Sequence, residues 1–204
     1  HYTNPIMTLP LIWFAAALLY LVFYCWYVGF KRRLSAQEVE ACCQQLEADW
    51  PAERIAPVRA FLSKDSGRDF YMANYVKLLD RTASGERGKA VMQKYQKPFL
   101  KGILPRACHP IAVGIAASRA VEMWGIDGGE AWTVAALVRY RSRRDLMEIL
   151  LTPHFAEIHP FKQAAVEKTI AFACDPAFIV GGGPKITVPL LLVTLASLAS
   201  LLIH

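Results

Sequence analysis

The sequence predicts an α+β module carried between two apolar helices, and three observations predict it. Uncharged apolar runs stand near both ends, one within residues 2–30 and one over 186–204. Every Lys, Arg, Asp and Glu lies between positions 31 and 185. Inside that charged middle, strand-like and helix-like runs follow one another in the order β-α-β-β-α-β.

The first run, "TLPLIWFAAALLYLVFYCWYVGF", exceeds the roughly 20 apolar residues needed to cross a hydrocarbon core about 30 Å thick. It is expected to span a membrane, and with the basic cluster behind it forms a segment 1–33. A secretory signal has its charge before the apolar core. Here no charge precedes the run and Lys31, Arg32 and Arg33 follow it at once. By the positive-inside rule these three residues place the downstream chain in the cytoplasm. Tyr24, Trp26 and Tyr27 lie where amphipathic rings favour the headgroup layer.

Residues 34–68 are read as amphipathic connector helices. Ser35 and Glu38 have capping-box spacing, and Val39, Cys42, Cys43, Leu46 and Trp50 recur at helical intervals. The acidic polar face makes the folded module, rather than the membrane surface, the expected cover for this stripe. Pro51 and Pro57 are expected to interrupt it before a short helical "PVRAFLSK" and the turn "DSGR".

The module is placed at 69–176. "DFYMANYVKL" is its first strand, and "GERGKAVMQKYQKPFLKGIL" its first helix, with Val91, Tyr95 and Phe99 on one face and a bend expected at Pro98. Two β-type runs, "IAVGIAASRAVEMWGI" and "AWTVAALVRY", are joined by "DGGE", a tight hairpin signal. A single helical stretch from Ser142 through "QAAVEK" follows, capped by Ser142 with Asp145 three residues on, and "TIAFAC" closes the order as a short strand. This order is the ferredoxin-like split unit, an antiparallel sheet with both helices on one face. Residues 177–185 read as a Gly-rich linker, since the three glycines lack the strand-to-helix context and the Gly-Lys-Ser/Thr of a phosphate loop. The run 186–204 is the second span, with Pro189 in its first turn. Both termini are then expected outside the cytoplasm, in a two-pass protein of the inner (cytoplasmic) membrane with a cytoplasmic central module.

Composition removes several function classes. Half of the +6 excess is the Lys31, Arg32, Arg33 cluster, and the remainder shows no basic face with a recognition motif. A nucleic-acid partner is therefore not expected. The five cysteines form no C-x-x-C pair, so neither a zinc site nor a redox motif is indicated. His154 and His159 in "TPHFAEIHPF" are five apart, so at about 100° per residue they diverge by roughly 140° on a helix. No shared metal is expected there. The basic run Arg139, Tyr140, Arg141, Arg143, Arg144 reads as a solvated or subunit-contacting face, since charge runs mostly stay in water.

"GRDFYMANYVKL", "VRYRSRRDLMEILLTPHFAEIHPFKQAAVEKT" and their spacing resemble the dimeric α+β barrel superfamily, especially small members related to the antibiotic-biosynthesis monooxygenases. The resemblance covers about residues 56–174. It implies a homodimer packed through the sheet and, in each monomer, a cleft between sheet and helices. One branch of that superfamily degrades haem with an asparagine on the first strand, a tryptophan ending the third and a histidine on the second helix. Asn74 and His159 match two of these positions, and Tyr140 stands at the tryptophan position.

Two functions are thus expected. The first is a non-catalytic accessory or assembly subunit of a larger, energy-transducing type of membrane complex, with the module as a structural or dimerising cap and no cofactor. Trp13 and Tyr20 on the first span, and Ala196 and Ser200 at i, i+4 on the second, are its candidate contacts with other integral membrane proteins. The second is a monooxygenase-type enzyme taking haem or a lipophilic aromatic substrate into a cleft lined by Asn74, Tyr140 and His159. Haem enters as a cofactor only with this second reading, and neither reading calls for another metal.

Overall fold

The computed structural model describes residues 5–30, 32–125, 131–177 and 183–202. The chain divides into two compact units, His1–Phe30 with Ala177–His204, and Lys31–Pro176. Lys31, the DGGE turn at 127–130, Gly181 and Gly182 of the linker, and the last two residues of the second run lie outside the described residues.

The first unit holds α1 (Pro5–Val28) and α7 (Pro184–Leu201). Both are long and apolar enough to cross a membrane, by length and composition. The second begins at Pro184, two residues before the expected start, because proline suits the first helical turn, where its missing N–H would be unpaired anyway. The two helices pack against each other.

In the second unit the capping box forms as its spacing predicts: Ser35 Oγ accepts from the Glu38 N–H at 3.2 Å, and Glu38 Oε2 accepts from the Ser35 N–H at 2.9 Å. The helix it starts, α2 (Ala36–Leu46), buries Val39, Cys42, Cys43 and Leu46. They pack with Ile55 and Leu62 of α3 (Ala52–Ser63) and with Met147 of the module, which answers what the connector stripe covers. Pro51 caps α3, but Pro57 does not break it. So close to the helix start, the lost donor costs a single backbone bond that packing of Ile55 and Leu62 outweighs.

The module follows the β-α-β-β-α-β order. Its elements are β1 (Phe70–Leu78), α4 (Gly88–Ile103), β2 (His109–Ile115), β3 (Val134–Tyr140), α5 (Arg143–Leu150), α6 (Pro153–Ala165) and β4 (Val166–Cys174). The sheet order is β2-β3-β1-β4, antiparallel throughout, with β1 between β3 and β4. Phe70, Val76 and Tyr140 point to the helix-covered face and join Val91, Tyr95, Phe155 and Ile158 in one core.

Three boundaries differ from the sequence expectation. β2 ends at Ile115, and described residues 116–125 form no strand; Val121 and Trp124 there are exposed. Apolar composition suggested a strand, but the ladder with β3 stops at the pair Ile115 and Val134. The second helix is two helices, α5 and α6. Thr152 Oγ1 accepts from the Phe155 N–H at 3.1 Å and Pro153 opens the new helix, a start signal inside what reads as one periodic run. Finally, α6 yields to β4 at Val166, so residues 166–168 are strand, paired with Lys77 and Leu78 of β1.

Candidate functional site

A cavity of about 530 Å³ opens between the helix-facing side of the sheet and the helices α3, α5 and α6. Strands supply its floor: Met72 and Asn74 from β1, Tyr140 from β3, Ala171 and Ala173 from β4. Period-2 alternation puts these on one face, because the register pairs Met72 with Ala173 and Asn74 with Ala171. The connector supplies a wall of Trp50, Arg54 and Phe61, and α6 supplies Phe155, His159 and Lys162. A second cavity of about 310 Å³ under α4 shares Asn74, Tyr95, Phe99, Tyr140 and Lys162 with the first.

Asn74, Tyr140 and His159, drawn from three separate stretches of chain, therefore line one cavity. The His159 ring lies between two aromatic rings, 4.9 Å from Phe155 and 5.9 Å from Trp50 by centroids, both roughly parallel to it. Burial, and then the charges of Lys162 and Arg54, push its pKa down to about 4. The imidazole is thus neutral at neutral pH, the form that accepts a proton or ligates a metal. Tyr140 is buried and stacks flat on Phe70 at 5.2 Å. Burial raises its pKa, so its hydroxyl stays a donor. Asn74 donates from Nδ2 to the Met72 carbonyl at 2.9 Å, leaving its side-chain oxygen to accept from a ligand.

His154 and His159 diverge along α6: the first turns to the Pro98 carbonyl, 3.2 Å from its Nε2, and the second to the cavity. Among the described residues no group of three metal-ligating side chains converges.

The basic run at the β3–α5 junction is not a solvated face. Arg139 is 2% exposed and Arg143 7%. Arg139 Nε donates to Asp69 at 2.9 Å and its Nη1 to the Ala107 carbonyl at 2.8 Å; Arg141 is paired with Asp145, and Arg144 with Glu38. Arg143 lies over the Phe61 ring at 4.7 Å. Asp69 and Glu38, both distant in sequence, and the nearby Asp145 offset the cost of this burial, and only Asp145 is within reach of a local reading of the charge run. Arg144 above all, with the Ser35 N–H and Arg32, holds the Glu38 carboxyl well below the usual carboxylate range.

Of the residues expected to meet membrane partners, Ala196 is buried and its carbonyl accepts from Ser200 Oγ at 2.7 Å. The Tyr20 hydroxyl reaches the Lys185 carbonyl at 3.5 Å, while Trp13 remains exposed. Tyr20 and Ala196 thus sit in helices of this chain that pack on each other.

Sequence reasoning missed Trp50, Arg54, Phe61 and Lys162 as cavity residues. Trp50 carried a partial signal, as the last residue of the helical-interval stripe Val39, Cys42, Cys43, Leu46, Trp50. Lys162 carried none.

The topology defines the second unit as a ferredoxin-like α+β module. Among solved structures it is similar to the RPA0582 protein of Rhodopseudomonas palustris, a protein of unknown function, at 22% identity and a TM-score of 0.53, over 64% of this chain and 97% of that one. The structure of methylated RPA0582 matches likewise, at 23% identity and 0.52, over 66% and 96%. A dimeric ferredoxin-like protein of unknown function from Bacteroides fragilis aligns at 18% identity and 0.35, over 55% and 99%. No protein family matches the chain, and no curated protein does.

Proposed function

We propose that this chain is a membrane-anchored module of the monooxygenase type that takes a lipophilic aromatic compound, haem among them, into the cavity between its sheet and helices. The observation that carries this reading is the meeting of Asn74, Tyr140 and His159 in one aromatic-walled space. Its size suits a small-molecule ligand, since such pockets measure about 300–1,000 Å³. The walls take the apolar body, Tyr140 donates to a ligand oxygen, Asn74 accepts from a donor, and His159 in its neutral form takes a proton or an iron. Haem suits the donor set: one uncharged imidazole flanked by rings, with no competing cluster of metal ligands among the described residues. Bound there, haem would supply an iron centre for dioxygen chemistry. In this reading α1 and α7 hold the module at the inner membrane, and the basic residues after α1 keep it cytoplasmic.

Titrating the detergent-solubilised full chain with haem should shift the haem absorption band, and His159→Ala should abolish the shift. The same titration with a quinol tests the aromatic alternative. Silence with both would retire the reading.

A second reading is supported by the outer face of the sheet. Tyr75, Ile170 and Phe172 are 40%, 51% and 47% exposed and adjoin on paired strands, with Trp132 at the edge of the Tyr75 ring. Adjoining exposed apolar residues of this kind mark a face suited to a protein cover. The cover is a second copy of the chain, or a larger membrane complex in which the chain is an accessory or assembly subunit. After mild-detergent extraction, native electrophoresis should show the chain migrating with other proteins if it is such a subunit. A lone homodimer would sink the subunit role and keep the sheet interface.

A further inference from the structure

We propose that the ligand of this cavity is an apolar acid, an aromatic body bearing a carboxylate that Lys162 and Arg54 hold at the wall; this rests on reading the cavity as the ligand site. Lys162 projects from α6 where the two cavities meet, its ammonium 5.7 Å from the centre of the Tyr95 ring. Arg54 lies over the Trp50 ring at 4.2 Å and lines the same space. Elsewhere among the described residues of the unit, five half-buried cations are matched by carboxylates: Lys77 with Glu167, Arg59 with Glu40, Arg106 with Glu148, Arg141 with Asp145, Arg144 with Glu38. Lys162 meets no carboxylate among the described residues, although Glu53 also lines the cavity. The other titratable groups facing it are His159, Tyr95 and Tyr140, all neutral at neutral pH.

Charge left unmatched in an apolar surround is costly, and both burial and the neighbouring Arg54 lower the pKa of Lys162. A carboxylate bound between the two cations reverses both penalties at once. A neutral ligand of equal size reverses neither. The cavity should thus discriminate by charge at one end and by aromatic area along the rest.

The test is calorimetric titration of the detergent-solubilised full chain with biphenyl-4-carboxylate and with its primary amide, two probes of nearly equal shape. The acid should bind about ten-fold more tightly than the amide, as a charge-assisted hydrogen bond in a desolvated site provides. Lys162→Met should bring the affinity for the acid down to that for the amide measured in the same variant, and Lys162→Arg should keep the preference. Equal affinity of the wild-type protein for acid and amide would overturn the proposal but leave the cavity reading standing. Binding of neither probe would overturn both. Amide binding by Lys162→Met, at whatever affinity, shows that the variant is folded, so the acid-to-amide ratio within that variant reports the charge.

Discussion

Asp145→Ala should destabilise the module by about 3–5 kcal/mol, the cost of removing one partner from a buried charge network. Asp145 is fully buried at the start of α5. Its carboxylate accepts from Arg141 through Nε at 3.0 Å and Nη2 at 2.6 Å, and from Ser142 Oγ at 2.6 Å, with Arg106 at 3.8 Å. Its own N–H is capped by Ser142 Oγ at 3.0 Å. Alanine removes the carboxylate that accepts from a buried serine hydroxyl and from a largely covered guanidinium, while Arg106 keeps Glu148. In a unit of this size, thermal unfolding of the detergent-solubilised chain should shift down by on the order of 10 °C. Asp145→Asn keeps the shape and one acceptor, so it should lose less. Equal melting of Asp145→Ala and wild type would mean that the network contributes nothing.

Gly88→Ala should cost about 3 kcal/mol, against the usual gain of a helix from alanine. Gly88 opens α4 where that helix presses on the end of β1. A Cβ there would lie 2.0 Å from the Leu79 carbonyl oxygen, 3.0 Å from its carbon and 3.3 Å from the Ala165 carbonyl oxygen. All three are backbone atoms. Leu79 is held by its N–H donating to Ala165 at 3.0 Å, and the Gly88 N–H donates to Asp80 at 3.2 Å, so no side chain can swing aside to make room. Gly102, in the last turns of the same helix, is the control: a Cβ would touch only the His154 ring, at 3.4 Å. Gly102→Ala should stabilise by up to about 1 kcal/mol. Chemical denaturation of the two variants beside wild type checks both signs.

Much of the module was legible before any coordinates. β1, α4 and the Ser35 and Ser142 caps follow from patterns a few residues long, because propensity, alternation and capping are local interactions. The two apolar helices follow from composition. The placing of Asn74, Tyr140 and His159 came through resemblance, and the register of β1 with β3 and β4 is what brings them to one space. Where local reading went astray, a distant partner had decided the outcome. The arginine run looked solvated because Asp69, Glu38 and Asp175 are far from it in sequence. Residues 116–125 looked like strand because whether a neighbouring strand pairs with them is not a local property.

By itself the sequence determined the two membrane-length helices, the β-α-β-β-α-β order and the amphipathic connector, since each rests on periodicity or hydropathy within a short window. Only the tertiary structure decided that the connector's Trp50 and Arg54 wall the cavity, that Lys162 lines it, and that burial and the charges of Lys162 and Arg54 keep His159 neutral. Burial and electrostatics are properties of what surrounds a side chain, and those surroundings are assembled from segments that come together only when the chain folds.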